Sequence, residues 1–185
     1  MIRRTFLATS MMAFAVACAP GGADQTADPR PVMQRSYDLR ELRFSAQPGL
    51  VVSEDNSFYP AADIVWRGDP VGPRIPQIGA MFREAARRNQ SVLNGTTPVV
   101  VDITLIRFHG VTERTRSSVG GVYNVIFQLA VRDARTGAVI EPPRRVVGNL
   151  SAPGGSQGRA LDRAGQTEKV RVTDFLTGLL RQQLS

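Results

Sequence analysis

The sequence predicts an α+β fold: an antiparallel sheet of about four strands with two helices packed on one face. Three observations lead to this prediction. Several segments alternate apolar and polar residues with the period of a strand, two segments carry an apolar stripe with the period of a helix, and a turn signal joins two of the strands. Helices laid on one face of an antiparallel sheet bury all of these apolar sides together.

The first predicted strand runs from Ser36 to Ser45, where apolar and charged residues alternate. The apolar positions change parity between Leu39 and Leu42, which indicates a bulge or a late start of the strand. Residues 53–73 then show no regular pattern and contain three aromatic residues among three prolines. A loop of this length is uncommon in a compact domain unless it packs on itself or has a function.

Two helices are predicted from apolar residues that recur at helical spacing. The first covers residues 75–93, where Pro76 suits the first turn. The second covers residues 167–184 and ends the chain. The segment before it, residues 149–166, is rich in glycine and polar residues and is predicted to be a flexible connection.

Three strands are predicted between the two helices. Residues 99–108 and 119–132 alternate over their whole length, with Val119 on the apolar face of the second strand. Asp133 to Gly137 is a hairpin turn signal, because Asp opens such turns and Gly accepts a positive φ. The third strand, within residues 138–148, is interrupted by two adjacent prolines, which places it at an edge of the sheet.

The first seventeen residues have the layout of a bacterial secretory signal. Arg3 and Arg4 precede an apolar run over residues 6–17, which ends in small residues. This run of twelve residues is too short to cross a hydrocarbon core about 30 Å thick as a helix. We therefore assign residues 1–17 to a signal peptide that directs export.

The only cysteine of the chain follows this leader directly. Ala15 and Ala17 suit ordinary signal peptidase, while the run from Ala15 to Cys18 also resembles a bacterial lipoprotein box. We expect lipidation of Cys18, because the single thiol stands where lipoprotein chemistry needs one. Residues 18–35 then form the lipidated cysteine and a flexible Gly- and Pro-rich tether, and residues 36–185 form one domain. The alternative is a soluble periplasmic binding protein released after Ala17.

The leader, the tether, the helix over 75–93 and the strands joined at Asp133 to Gly137 resemble small lipoproteins of the Gram-negative envelope. These include auxiliary lipoproteins of ABC-type envelope transport systems and uncharacterised families. The resemblance implies a membrane-anchored protein that faces the periplasm and binds or scaffolds without catalysis, in transport or envelope maintenance. Ala19 after Cys18 implies the outer membrane by similarity to enteric sorting.

Charge and composition limit the classes of partner and cofactor that the sequence allows. The chain has 23 Lys+Arg and 16 Asp+Glu, a net charge of +7, which falls to +5 once Arg3 and Arg4 leave with the signal peptide. All basic residues except Lys169 are arginines, spread along the chain without the clustered stripe that nucleic acid requires. One interpretation is a solvated, arginine-rich surface. The other is contact with anionic lipid headgroups or lipopolysaccharide, because arginine binds phosphate through a planar fork. We expect a protein or anionic lipid partner in the envelope. One Cys and one His exclude a metal centre built from several cysteines or several histidines, and no cofactor is expected.

The aromatic loop at 53–73 holds the candidate contact residues Phe58, Tyr59, Trp66 and Arg67. Aromatic and arginine side chains dominate binding hot spots, so these four are the predicted contact with a protein or lipid partner. The alternative is that the aromatic rings form a lid over the sheet. Trp66→Ala distinguishes the two, because loss of stability supports the lid and loss of a partner supports the contact.

His109 supports a minor alternative, a small envelope hydrolase in which this residue acts as the general base. No nucleophile with recognisable spacing accompanies it. The other interpretation is a histidine in a turn or on the surface, at the end of a strand. The sequence therefore predicts no catalytic residue.

Overall fold

The computed structural model describes residues 35–185. The predicted signal peptide, the lipidation site Cys18 and the tether up to residue 34 lie outside the described residues. The strands are β1 (Tyr37–Ala46), β2 (Ile64–Val65), β3 (Thr97–His109), β4 (Gly121–Asp133) and β5 (Val139–Ala152). The helices are α1 (Arg74–Asn89), α2 (Glu113–Ser117), α3 (Gly155–Arg163) and α4 (Glu168–Leu184).

The sheet is mixed, with the strand order β1-β3-β4-β5 and the short β2 beside the end of β3. Strands β3, β4 and β5 pair antiparallel, but β1 and β2 pair parallel to β3. The prediction of an antiparallel sheet is therefore wrong for β1. The physical reason is the connection, because a chain that leaves β1 and returns through helix α1 arrives in the same direction.

The parity change predicted in the first strand is confirmed. The register between β1 and β3 shifts between Leu39 and Glu41, and this irregularity leaves both Leu39 and Leu42 buried. The hairpin is also present at its predicted place, where Gly137 has a φ of 74°. Strand β5 lies at the sheet edge, as predicted, but it runs unbroken through Pro142 and Pro143 while its register with β4 shifts there.

Helices α1 and α4 pack against each other and against one face of the sheet. In this layer Phe82 of α1 meets Phe127 of β4 edge to face, with ring centroids 5.2 Å apart. At the far side, an added Cβ on Gly148 of β5 would lie 2.7 Å from Phe175 of α4, so glycine allows the close approach. The two predicted helices thus form one layer over the core.

Two further helices were not predicted. α2 has only five residues, and α3 lies in the Gly-rich segment at 149–166 that was expected to be a flexible connection. The helix α3 follows Gly154, whose added Cβ would lie 2.1 Å from the backbone of Gly120, so a packing contact between two glycines holds its start. The connection is therefore regular and packed, and the prediction of flexibility is wrong.

The second face of the sheet, which we call the open face, is polar. Along β3 and β4 the buried residues point to the helices, while Asp102, Thr104 and Gln128 alternate with them and are partly or fully exposed. Within residues 35–185, none of the helices is long and apolar enough to cross a membrane.

Candidate functional site

A cleft of about 500 Å³ lies at the end of the sheet where β3 ends and β4 begins. Its walls come from the loop before β2, the segment from His109 to Thr115, and the first residues of β4. Its lining residues are Phe58, Tyr59, His109, Gly110, Val111, Thr115, Val119, Gly120, Gly121, Val122, Asn124 and Asn149. None of these residues is acidic, and the cleft lies next to the open face.

Two exposed aromatic side chains form one lip of the cleft. Phe58 is 51% exposed and Tyr59 is 71% exposed. The guanidinium of Arg114 lies over the Phe58 ring, 4.5 Å from its centroid, and Arg107 donates a hydrogen bond of 2.9 Å to the Tyr59 hydroxyl. A cation over an aromatic face is held by the quadrupole of the ring, so these contacts fix the orientation of both rings.

The loop that carries the lip is fastened by α2. The Thr112 hydroxyl donates to the carbonyl of Ser57 at 2.8 Å, and the Thr115 hydroxyl donates to the carbonyl of Phe58 at 2.7 Å. Thr112 also caps α2, because its hydroxyl accepts a hydrogen bond from the backbone N–H of Thr115. The lip therefore rests on the first turn of a capped helix.

His109, the last residue of β3, supports the lip from below. It is buried, contrary to the expectation of a surface histidine, and Tyr59 stacks on it with ring centroids 4.3 Å apart and a tilt of 29°. The Nε2–H of His109 donates to the carbonyl of Pro60 at 3.0 Å. Within the described residues no Ser, Thr or Cys side chain is hydrogen-bonded to this imidazole.

The four predicted contact residues separate into two pairs. Phe58 and Tyr59 line the cleft, whereas Trp66 is fully buried and donates from Nε1 to Asp69 at 2.8 Å. The Trp66 ring meets Phe108 edge to face at 5.6 Å. For this residue the lid interpretation fits the geometry, because a ring with no exposed surface cannot meet a partner.

Arg67 fastens the loop from inside. Its guanidinium lies 3.0 Å from the Glu54 carboxylate and donates to the backbone carbonyls of Ser53 and Asp55. Only 10% of its side chain is exposed. We therefore assign Arg67 to the internal support of the loop, while a contact role of Phe58 and Tyr59 stays a prediction.

The cleft includes residues that sequence reasoning missed or misplaced. Val119 was predicted on the buried face of a strand, but it precedes β4 and is 79% exposed, with Val122 also exposed beside it. The pair Gly120 and Gly121 marks the change, because Gly120 has a φ of 73°, a conformation that favours glycine. The two glycines were the signal in the sequence that the strand begins after Val119.

A second cluster, which we call the Arg116 node, holds the other side of α2. Arg116 pairs with Asp162 of α3, lies 3.4 Å from Glu113 of α2, and lies 3.6 Å from Glu168 of α4. Glu168 is buried, and this burial raises the pKa of its carboxyl although Arg116 acts in the opposite direction. Burial likewise raises the pKa of the neighbouring Tyr123 hydroxyl. The node ties three helices together behind the cleft.

A comparison of the chain with protein families gives a direct match over residues 37–185. The chain belongs to a family of unknown function, DUF6778. This confirms the coarse expectation of an uncharacterised family. None of the curated proteins matches the chain.

Two solved structures resemble this DUF6778 chain. One is a protein from Xanthomonas campestris assigned to DUF330, 14% identical over 82% of this chain and 85% of that chain, with a TM-score of 0.45. The other, from Caulobacter crescentus CB15, is described as a "putative lipoprotein" and is 13% identical over 80% of this chain and 85% of that chain, with a TM-score of 0.36.

Proposed function

We propose that this DUF6778 protein is a lipid-anchored component of the bacterial envelope that binds a partner at the aromatic cleft without catalysis. The observation that carries the proposal is the exposed pair Phe58 and Tyr59, held by contacts with Arg114, Arg107 and His109 beside a cleft of about 500 Å³. Binding hot spots are rich in aromatic and arginine side chains, and ligand sites have volumes of about 300–1,000 Å³. Both properties coincide here.

The surroundings of His109 support a role without catalysis. A general base needs a free nitrogen within reach of the proton that it removes, and often a nucleophile beside it. Nε2 of His109 donates to the Pro60 carbonyl, the ring lies under Tyr59, and within the described residues no hydroxyl or thiol side chain is hydrogen-bonded to the other nitrogen. These contacts favour a structural histidine over the base of a hydrolase.

The leader supports the anchor. The signal-like residues 1–17 directly precede Cys18, and a lipidated cysteine there would hold the protein on the periplasmic side of a membrane. The similarity of Ala19 to the enteric sorting signal favours the outer membrane. Stable anchoring needs two or more acyl chains, and lipoprotein modification supplies these chains. A place as an auxiliary component of an ABC-type transport or envelope-maintenance system fits such an anchored binding protein.

Cys18→Ser tests the anchor. We expect the variant to lose labelling by radioactive palmitate and to move from the membrane fraction to the soluble periplasmic fraction. Labelling and membrane association that persist in the variant would contradict lipidation. Soluble wild-type protein that begins at Cys18 without a lipid would support the alternative of ordinary signal-peptidase release.

Chemical crosslinking in intact cells tests the binding surface. We expect wild-type protein to form a crosslinked species that the double variant Phe58→Ala, Tyr59→Ala loses while its thermal unfolding temperature falls by only a few degrees. Val92→Ala is the matched control, because Val92 has the same 51% exposure as Phe58 but lies beyond the end of α1. The proposal fails if the double variant keeps the species, or if the control loses it equally.

A further inference from the structure

We infer that the occupant of the cleft is a protein segment in which acidic side chains flank one large apolar residue. This inference rests on the proposed function and names the chemistry of its partner. It follows from the charge of the cleft rim, from the way its apolar side chains project, and from the position of the cleft relative to the start of the domain.

Arginine side chains lie on both sides of the aromatic lip, and the one carboxylate in the groove beside it, that of Asp63, is not ion-paired with either of them. Arg107 and Arg114 flank the aromatic lip, and within the described residues neither forms an ion pair. Arg145 of β5 extends the positive charge onto the open face. In the sheet, Arg107 lies opposite Ile126 of β4, and Arg145 lies opposite Gln128, two residues further along β4. Carboxylates are the protein groups that the planar guanidinium fork recognises, so the partner surface is acidic.

The apolar side chains stand out of the surface. Besides the two rings of the lip, Val119 and Val122 are more than half exposed, and the buried Val111 lies at the base of the cleft. A small-molecule site usually encloses most of its ligand. Projecting side chains around one open cleft suit a protein surface that inserts a single apolar anchor, as at the centre of an interface.

The cleft and the start of the domain lie at opposite ends of the sheet. The described chain begins at Arg35, which is bonded to Glu141 at 2.8 Å, and Tyr37 of β1 pairs with Thr97 at the start of β3. The cleft begins at His109, the other end of this strand. Thirteen residues of extended chain span about 40 Å. A partner at the cleft therefore does not meet Arg35 or the start of β1, which lie at the other end of the sheet.

Photo-crosslinking of the full chain in intact cells tests the inference. p-Benzoylphenylalanine replaces Phe58 in one version and Val92 in the control version. We expect the Phe58 position alone to give a protein adduct, and mass spectrometry to place it in a segment that carries Asp or Glu beside an apolar residue. Arg145→Glu should lower the yield about threefold or more, whereas the control Arg83→Glu should keep it.

The possible failures are distinguishable. A lipid adduct at the Phe58 position, or a protein segment without acidic residues, would overturn the inference but leave a binding function at the cleft intact. An unchanged yield in Arg145→Glu would overturn the role of the charged rim in the same way. No adduct above the level of the Val92 control would overturn both this inference and the proposed function.

Discussion

Tyr59 stacks on His109 at 4.3 Å, and this contact joins the exposed lip of the cleft to the last residue of β3. The chain has one histidine, so any chemistry of imidazole reports on this position alone. The buried ring below Tyr59 is therefore a probe for the integrity of the lip.

Removing the Tyr59 ring is expected to open His109 to reagents. In Tyr59→Ala the acylation of His109 by diethyl pyrocarbonate should be several times faster than in the wild type, because the ring that covers the imidazole is gone. Tyr59→Phe keeps the ring and loses only the hydrogen bond from Arg107, so its rate should stay close to the wild-type rate. Equal rates in all three proteins would contradict the stacked arrangement.

Trp66 is expected to determine stability and not recognition. Truncating a fully buried aromatic side chain costs about 3–5 kcal/mol, and Trp66→Ala also leaves Asp69 without its indole donor. Urea unfolding measures this loss. Phe58→Ala is the matched variant in the same loop, and its free energy of unfolding should fall by less than about 1 kcal/mol because the ring is half exposed. Similar losses in both would contradict the division of the loop into support and lip.

Gly110, at the floor of the cleft, is expected to tolerate no side chain. An added Cβ would lie 2.5 Å from the Tyr123 ring and 2.8 Å from the carbonyl oxygen of Val65. Gly110→Ala should therefore lower the free energy of unfolding by about 1–3 kcal/mol. Gly178→Ala in α4 should raise it by about 0.5–1 kcal/mol, because no atom lies within 4 Å and alanine favours the helix. A stable Gly110→Ala would mean that Tyr123 does not pack there.

Glu168→Gln tests the Arg116 node through its pH dependence. Burial holds the pKa of Glu168 above its usual 4.5, so ionisation of this carboxyl costs stability as the pH rises from that value through the higher folded pKa. The variant should unfold at higher urea concentration than the wild type at pH 7, and this difference should shrink as the pH falls to about 4.5.

Glu84→Gln is a control of opposite sign. Hydrogen bonds from Arg87 and Arg88 lower the pKa of Glu84 to about 2. Its carboxylate therefore stabilises the fold above pH 4.5, and this contribution is lost as the pH falls towards 2. The variant should be slightly less stable than the wild type at neutral pH, by an amount that salt reduces. The same sign in both variants would contradict the assignment of burial as the cause at Glu168.

The sequence predicted the elements that carry long periodic patterns. Helices α1 and α4 and strands β3 and β4 were found within a few residues of their observed ends, because each has an apolar side that repeats over ten or more residues. The bulge after Leu39 was also visible, since a change of parity is a direct trace of an extra residue in a strand.

The pairing of β1 and the short elements were not predicted. Parallel pairing depends on where the chain returns after α1, and periodicity within β1 carries no information on that. β2 has two residues and α2 has five, too few for any period to show. Only the cap at Thr112, with Thr115 three residues later, was a local signal for α2.

The candidate site was predicted only in part, because local composition does not show contacts between distant segments of the chain. The loop at 53–73 was identified by its composition, but composition does not distinguish the exposed Tyr59 from the buried Trp66. Burial of Trp66 follows from contacts with Phe108 and Tyr123, which lie about forty and sixty residues away in the chain. The arginine rim likewise forms only when β3 and α2 come together beside the loop.

The size of the complex that the protein forms in the envelope decides whether the aromatic cleft is its binding surface. Native gel electrophoresis of membranes dissolved in a mild detergent measures this size. We expect the wild type and Val92→Ala to migrate together in a complex heavier than the free protein. The Phe58→Ala, Tyr59→Ala variant should migrate as free protein although it remains folded, with an unfolding temperature only a few degrees lower. A double variant that stays in the same heavier complex would contradict binding at the cleft.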